Sequence, residues 1–277
     1  MQGDGFVFTD LTHDHLDGAL ALSRAAAWPH RREDWAMLLD LGCGFVVLDG
    51  DRVVATTLVT SHGEARTVNM VIVDEALRGR GIGRRLMDRA LAEAGRRDCR
   101  LVATTEGLPL YEKLGFVEVG RILQHGGPAA PVAAPADVEA ATADDLAAIV
   151  ALDREATGMD RAAMFAEIAA VGTFAVLRDG GRVTGFSVIR PFGRGEVIGP
   201  VVAATRAEAE RLVAHFVAMR TGAYVRVDTT DASGLSPWLT EIGLPKVGGG
   251  IAMRLGGAAP AAERSVFTHA LASQALG

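Results

Sequence analysis

The chain repeats itself, and that repetition limits its fold more than any other feature. Phe45-Val46-Val47-Leu48-Asp49-Gly50-Asp51-Arg52-Val53 returns as Phe174-Ala175-Val176-Leu177-Arg178-Asp179-Gly180-Gly181-Arg182-Val183. Both copies set apolar, β-prone residues around an Asp-Gly turn, the strongest short-range hairpin signal. A second echo pairs Leu110-Tyr111-Glu112-Lys113-Leu114-Gly115-Phe116 with Trp238-Leu239-Thr240-Glu241-Ile242-Gly243-Leu244, at roughly the same spacing from its hairpin. A period this long is a whole domain rather than a solenoid unit. Two such halves fit a chain of 277 residues, given a usual domain size of about 100 to 200.

Between the copies lies Gly126-Gly127-Pro128-Ala129-Ala130-Pro131-Val132-Ala133-Ala134-Pro135, whose Pro and Ala content disfavours helix and sheet alike. The expected layout is a first domain over 1–126, a linker over 127–136, a second domain over 137–257 and a tail over 258–277. Helical spacing of Val266, Leu271 and Leu276 predicts a helix in that tail. In the first half, apolar periodicity predicts helices over 14–27 and 31–41. Strands follow over 45–48, 53–60 and 67–73, then a helix over 84–94, a strand over 100–103, a helix over 108–114 and a strand over 116–122. Strands in a run followed by alternation imply an α/β arrangement, a twisted mixed sheet flanked by helices in each half.

Composition excludes several classes. A net charge of −6 with both signs interspersed argues against a nucleic-acid binder, which would be basic. Met1-Gln2-Gly3-Asp4-Gly5 lacks the basic and apolar run of a signal peptide, and no long apolar stretch could cross a membrane, so the expected location is the cytoplasm. Cys43 and Cys99 alone cannot supply a disulfide framework or a four-ligand zinc site, and they read as buried thiols. His13-Asp14-His15 reads as solvated surface beside a helix N-cap rather than as metal ligands, so no metal is expected. A homodimer is left open.

The chemistry concentrates after the third strand of the first half. Val71-Ile72-Val73 leads through Asp74-Glu75-Ala76-Leu77 into Arg78-Gly79-Arg80-Gly81-Ile82-Gly83 and then directly into a helix. Glycines let backbone approach a ligand, and the free amides and dipole of a helix N-terminus attract anions. Arg78, Arg80 and Arg84 add positive charge. Within the helix Ile82, Leu86, Ala90 and Ala94 share a face with Met87 and Leu91, while Arg85, Asp88, Arg89, Glu93 and Arg96 fall elsewhere. No Gly-Lys-Ser/Thr follows, which excludes a Walker loop, and the Gly-x-Gly-x-Gly run is not the dinucleotide fingerprint.

Val73, the Arg78 to Gly83 loop and Leu110-Tyr111-Glu112-Lys113-Leu114-Gly115-Phe116 together resemble the signature of the GNAT acyltransferases, over most of residues 1–125. The resemblance implies acetyl-CoA as donor substrate, its pyrophosphate on Arg78, Gly79, Arg80, Gly81, Gly83 and Arg84, and its pantetheine arm along the backbone of Val71 and Val73. It places Tyr111 at the thioester sulfur. Transfer to an amine needs that amine neutral, although an alkylamine has a pKa of about 10.4. The departing thiolate, of pKa about 8.5, calls for a proton donor, and tyrosine at about 10 makes Tyr111 the expected general acid. An exposed backbone amide on the preceding strand is the candidate oxyanion donor. Glu106 is the first candidate for general base, with His30 and His62 as others.

Trp28, His30 and Trp35 fall in the helix-helix connection that borders the acceptor pocket in the resembled family, so they are candidates to bind a small-molecule or peptide amine, with core packing as the plain alternative for the tryptophans. The second half has lost the machinery: Ala207 and Ala209 align with Gly81 and Gly83, Glu208 and Glu210 flank them, and Leu239 faces Tyr111. It reads as a degenerate domain that completes the acceptor pocket, binds a regulator or covers apolar surface. The polar run from Asp153 to Arg161 reads as a solvated helix-helix connection. The leading expectation is an N-acetyltransferase with one cofactor per chain; the alternative is an acyl-CoA-binding sensor without transfer.

Overall fold

The computed structural model describes residues 5–95, 97–257 and 264–277. The expected sheet and helices are present in both halves. The first half runs β1 (Phe6–Asp10), α1 (Leu16–Ala25), α2 (Arg32–Asp40), β2 (Gly42–Asp49), β3 (Arg52–His62), β4 (Ala65–Val73), α3 (Ile82–Ala94), β5 (Asp98–Ala103), α4 (Leu108–Lys113) and β6 (Val117–Pro128). The second runs β7 (Glu139–Ala140), α5 (Leu146–Thr157), α6 (Ala162–Ala169), β8 (Thr173–Asp179), β9 (Arg182–Phe192), β10 (Gly195–Ala203), α7 (Arg206–Met219), β11 (Tyr224–Thr230), α8 (Ser236–Glu241), β12 (Lys246–Leu255) and β13 (Phe267–Ala270).

The repeat is faithful at the level of single hydrogen bonds. Phe116 N–H donates to Tyr111 O at 3.0 Å, and Leu244 N–H donates to Leu239 O at 2.9 Å. Each short helix is followed by a left-handed glycine, Gly115 at φ 91° and Gly243 at φ 88°. Such a stop needs glycine, because a Cβ is crowded against the carbonyl there.

The halves do not keep separate sheets. All strands form one 13-stranded sheet in the order β1-β2-β3-β4-β5-β12-β6-β11-β13-β10-β9-β8-β7. The last long strand of each half lies in the other: β12 pairs with β5 through Leu255↔Cys99 to Ile251↔Ala103. Reciprocally β6 pairs with β11 through Ile122↔Thr230 to Pro128↔Tyr224. The exchange carries β6 through Gly127 and Pro128, so the expected linker loses its first residues to the sheet. Proline is tolerated there because it ends the strand.

Within each half the third and fourth long strands, the parallel pair, diverge. β4 and β5 pair only at Ala65↔Asp98, Arg66↔Cys99 and Thr67↔Arg100 before they splay. β10 and β11 pair only at Glu196↔Val225 and Val197↔Arg226. The first splay stays open, but β13 fills the second, pairing antiparallel with β10 (Val202↔Thr268) and with β11 (Thr229↔Ala270). The predicted helix over the tail is therefore wrong. Two unpaired strand edges offer the segment a hydrogen-bond ladder on each side, and that outweighs a weak helical period.

α3 buries Ile82, Leu86, Met87, Ala90, Leu91 and Ala94 in the first half's core. At roughly 1.5 to 3 kcal/mol for each large apolar side chain, that face holds the N-terminus of α3 at the mouth of the open splay. Arg96 and the N-terminal Met1 to Asp4 lie outside the described residues. The Asp153–Arg161 segment is solvated only in part: Arg154, Glu155, Gly158 and Asp160 are exposed, but Asp153 and Arg161 form a buried pair at 2.5 Å, and Arg161 also donates to Leu276 O at 3.3 Å.

Candidate active site

The loop between β4 and α3 is shaped by its glycines. Gly79 and Gly81 have φ of 78° and 76°, and Gly81 is the N-cap of α3 with no side chain bonded to the first-turn amides. A Cβ at either would meet nothing within 4 Å, so these glycines are required by conformation and not by crowding. Gly83 differs, because a Cβ there would pack 3.5 Å from Val73 and 3.6 Å from Leu110. The first turn carries no acid. Arg80 is exposed and carries no ion pair among the described residues; Arg78 leans on Val73 O at 3.4 Å, and Arg84 is engaged by Asp88 at 3.0 Å. This leaves an open anion cradle. Gly81→Ala should strain the backbone by about 1 to 2 kcal/mol and weaken binding of an anion in this cradle about tenfold by calorimetry; Gly83→Ala should bind almost normally.

β4 carries a bulge just before this loop. Its register with β3 shifts between Asn69↔Leu58 and Ile72↔Thr56, so Met70 and Val71 have no partner in register. Met70 sits at φ 49°, which is strained for a side chain of that size. Thr56 Oγ1 holds Met70 O at 2.8 Å. The bulge frees main-chain groups where β5 has already turned away. The sequence offered an amide on this strand as a candidate but gave no sign of the bulge, because a bulge without glycine or proline leaves no signal.

Tyr111 is placed by α4 on the floor of the first half's core, with its ring edge-on to Phe116 at 6.1 Å between centroids. Its hydroxyl makes no hydrogen bond to any described residue, and burial pushes its pKa up to about 12. It therefore stays protonated at neutral pH. The second half has Leu239 in that place, fully buried.

A cleft of about 510 Å³ opens beside the bulge. One wall is Asn69 and Met70 of β4 with Ala103 and Thr104 after β5. Opposite stand Gln124 of β6 and Tyr224 and Arg226 of β11, with Gly248 and Gly249 of β12 between. The rim is Trp28 and His30 from the α1–α2 turn and Phe192, Gly193 and Arg194 from the β9–β10 hairpin, and Gln274 reaches in from the tail. Both halves thus build it. The hairpin grips the turn: Gly193 N–H donates to Asp34 Oδ2 at 3.2 Å and Arg31 Nη2 to Pro191 O at 3.0 Å. A larger cleft of about 1210 Å³ lies beyond Thr67, around Arg154, Arg254, Arg264 and Met253. It touches neither the bulge nor the glycine loop, so the smaller cleft is the better candidate for the acceptor.

The predicted acceptor and base residues separate. Trp28 and His30 line the cleft, whereas Trp35 is fully buried with its indole N–H on Ser23 Oγ at 3.3 Å. The core reading of Trp35 is correct, since its face on α2 points inward. Glu106 is exposed outside the cleft, and hydrogen bonds from its own backbone N–H and from Thr104 hold its carboxyl below the usual range, with Arg78 adding to this. His62 is buried at the end of β3, where Asp160 N–H donates to its carbonyl at 3.3 Å. His30 stacks edge-on to Phe192 at 5.5 Å, and its Nδ1 is buried without a partner. Burial pushes its pKa down to about 4, with Arg226 and Arg190 adding to this and Asp34 and Asp228 opposing it.

These buried imidazoles set an acid limit. His62 is held down to about 3 by burial and by Arg161, Arg100 and Arg66. In the unfolded chain both histidines take up protons near pH 6.5, while the folded protein refuses them until about pH 4 and 3. The unfolded state then binds more protons, so stability is lost as pH falls through this window, by roughly 3 kcal/mol for His30 and 5 for His62. Tm measured from pH 7.5 to 4 should fall steeply below about 6.5, and His62→Gln should flatten the curve.

The second half closes the equivalent site. Only Ala204 and Thr205 connect β10 to α7, where Asp74 to Gly81 connect β4 to α3. The loop is missing, so the alignment of Ala207 and Ala209 with Gly81 and Gly83 does not hold. Thr205 Oγ1 accepts from Glu208 N–H at 3.2 Å and Glu208 Oε2 from Thr205 N–H at 2.9 Å, a capping box that already satisfies the helix end.

Among the described residues no group of His, Cys, Asp or Glu could hold a metal, and no helix is long and apolar enough to cross a membrane. His13 pairs with Asp40 at 3.1 Å on the surface.

One family model described as an acetyltransferase (GNAT) domain matches residues 149–268, and a second with that description matches residues 40–118, together well over half of the chain. A Bacillus subtilis protein described as an uncharacterized N-acetyltransferase, YitH, is 26% identical over 246 residues, covering 85% of this chain and 86% of its own. Among solved structures, a putative acetyltransferase from Pyrococcus horikoshii superposes with a TM-score of 0.84 at 20% identity, over 100% of this chain and 98% of that one. A tandem GNAT protein from the clavulanic acid biosynthesis pathway gives 0.62 at 15%, over 92% and 99%.

Proposed function

The chain belongs to the GNAT acetyltransferase family as a tandem protein, and from that premise we propose that the first half transfers an acetyl group from acetyl-CoA to an amine held in the cleft between the halves. The observation that carries this reading is the asymmetry of the two splays: one is open and ends on a free helix N-terminus, the other is filled by β13 and capped by Thr205 and Glu208. One chain then binds one cofactor.

Pyrophosphate rests on the amides of Gly79 to Gly83 with Arg78 and Arg80 beside it, and the pantetheine arm runs along Val73 and Val71 into the splay. The amine nitrogen attacks the thioester carbonyl carbon, and the carbonyl oxygen takes up the charge against the backbone freed at Met70 and Val71. The C–S bond breaks as Tyr111 donates to the leaving sulfur, and the proton that the attacking nitrogen sheds on becoming an amide passes through solvent to restore the phenol. Asn69 Oδ1, buried and without a partner, accepts a hydrogen bond from the amine. His30 does not act as base. Moving a proton from an amine of pKa about 10.4 to an imidazole of about 4 costs roughly 9 kcal/mol, against about 5 for losing it to water at pH 7. The amine sheds its proton to solvent before attack.

A thiol-release assay with acetyl-CoA and a panel of amines tests the reading. Release that depends on the amine supports transfer; tight acetyl-CoA binding with no release on any amine would make the protein an acyl-CoA sensor instead.

A further inference from the structure

The acceptor cleft has an uneven charge, and its sign selects the acceptor. Among its described lining residues there are two guanidinium groups, Arg194 and Arg226, and no aspartate, glutamate or lysine. Two acids beside the cleft, Asp228 and Asp34, are already bonded, and Glu33 lies on the outer rim rather than in the lining. Asp228 is bound by Arg226 Nε at 3.0 Å and by Gln274 Nε2 at 3.1 Å. Asp34 accepts from Arg31 Nη2 at 2.8 Å, from Arg31 N–H at 2.8 Å and from Gly193 N–H at 3.2 Å. Arg190 stands behind them, buried, with its Nε unpartnered and Asp34 no closer than 4.0 Å. Arg190 and Arg226 lie over one phenylalanine, Phe192, at 5.2 and 5.0 Å, and Arg194 stands on the same hairpin at the rim. His30 is neutral among them and cancels nothing.

This excess is not there for the cofactor's phosphates. Those sit at the N-terminus of α3, past Val73, whereas the cleft meets β4 at Val68 to Met70. At about 3.3 Å per strand residue the two sites are some 10 Å or more apart along β4. The pocket has two ends of different chemistry. Near the bulge Asn69 Oδ1 is a buried acceptor with no partner, suited to an amine. At the rim Arg194 is exposed and makes no ion pair among the described residues, while Arg226 gives Nε and Nη2 to Asp228 and keeps Nη1 as its remaining donor. Planar forks of this kind match a carboxylate.

We propose that the acceptor is an amine that also carries a carboxylate, its nitrogen beside Asn69 and its carboxylate between Arg194 and Arg226. Diamines and other polycations are excluded by the same charge, since no carboxylate lines the cleft to receive a second ammonium. This rests on the transferase reading for the chemistry, but not for the binding.

The test uses L-leucine, L-phenylalanine and β-alanine, each against its primary amide, with 1,4-diaminobutane as the polycation. Binding to the full chain saturated with CoA is measured by calorimetry, and CoA release from acetyl-CoA is measured separately. At least one acid should bind ten-fold or more tighter than its amide, and the diamine should bind weakest. In turnover the acid should win too, although the amide has the less basic amine. Arg194→Gln, an exposed and unpaired position that should not disturb folding, should collapse the acid-over-amide preference to within two-fold. Arg194→Glu should turn it toward the diamine. Amides or the diamine binding as well as the acids, no acid binding at all, or a preference that survives Arg194→Gln, would each overturn the proposal. Selective binding of an acid with no CoA release would uphold it and overturn the transferase reading alone.

Discussion

Tyr111→Phe should lower turnover by roughly 10² to 10⁴-fold while acetyl-CoA binds almost as before. The ring is part of the core beneath the splay and phenylalanine keeps it, so the change removes one oxygen and little packing. The hydroxyl has no partner among the described residues that its loss would strand. In the proposed mechanism what disappears is the donor at the sulfur, and a thiolate must then leave undamped. With its pKa pushed up to about 12, the phenol is a firm hydrogen-bond donor and a reluctant acid. Full transfer to a thiolate of about 8.5 would be uphill by roughly 5 kcal/mol, so its contribution is greatest as the C–S bond stretches and the sulfur gains charge. Rapid-quench turnover with calorimetry on the same variant checks this: a lost rate with an unchanged dissociation constant is expected, and normal turnover would remove Tyr111 from the mechanism.

Removing residues 264–277 should abolish stable folding. The segment buries Val266, Leu271 and Leu276 and inserts a strand that both β10 and β11 bond. Three large apolar side chains at roughly 1.5 to 3 kcal/mol each amount to about 5 to 9 kcal/mol, comparable with the 5 to 15 kcal/mol that hold an average domain folded. Two strand edges would also lose their partner in a closed interior. Thermal melting and solubility of the truncated chain are the readout. A well-folded truncated protein with one cofactor site would show that β13 is dispensable; one with two sites would show that β13 alone keeps the second splay empty.

The sequence spoke clearly where chemistry is local. The Asp-Gly turns, the glycine run before α3 and the Tyr-x-x-x-Gly-Phe helix are each short segments whose residue types specify a backbone, and they pointed to the repeat, the anion cradle and Tyr111. It was silent where partners are distant. Nothing in Lys246 to Leu255 says that it pairs with β5 rather than with its own half, because strand propensity does not name a neighbour. The tail misled because three apolar residues fit a helix as well as a buried strand end. Trp35 was drawn into the acceptor list by nearness in sequence to Trp28, yet α2 turns it inward while the turn before it faces the cleft. Arg194 and Arg226 are not legible as site residues in the sequence, being ordinary arginines until β11 and the β9–β10 hairpin bring them to one rim.

The crossing of β6 and β12 makes the covalent link between the halves almost redundant. A chain nicked between β6 and β7 would hold together through both exchanged ladders, like a pair of complementing fragments. Neither fragment alone could finish a sheet or close the cleft, so the two halves must be made, kept and lost as one.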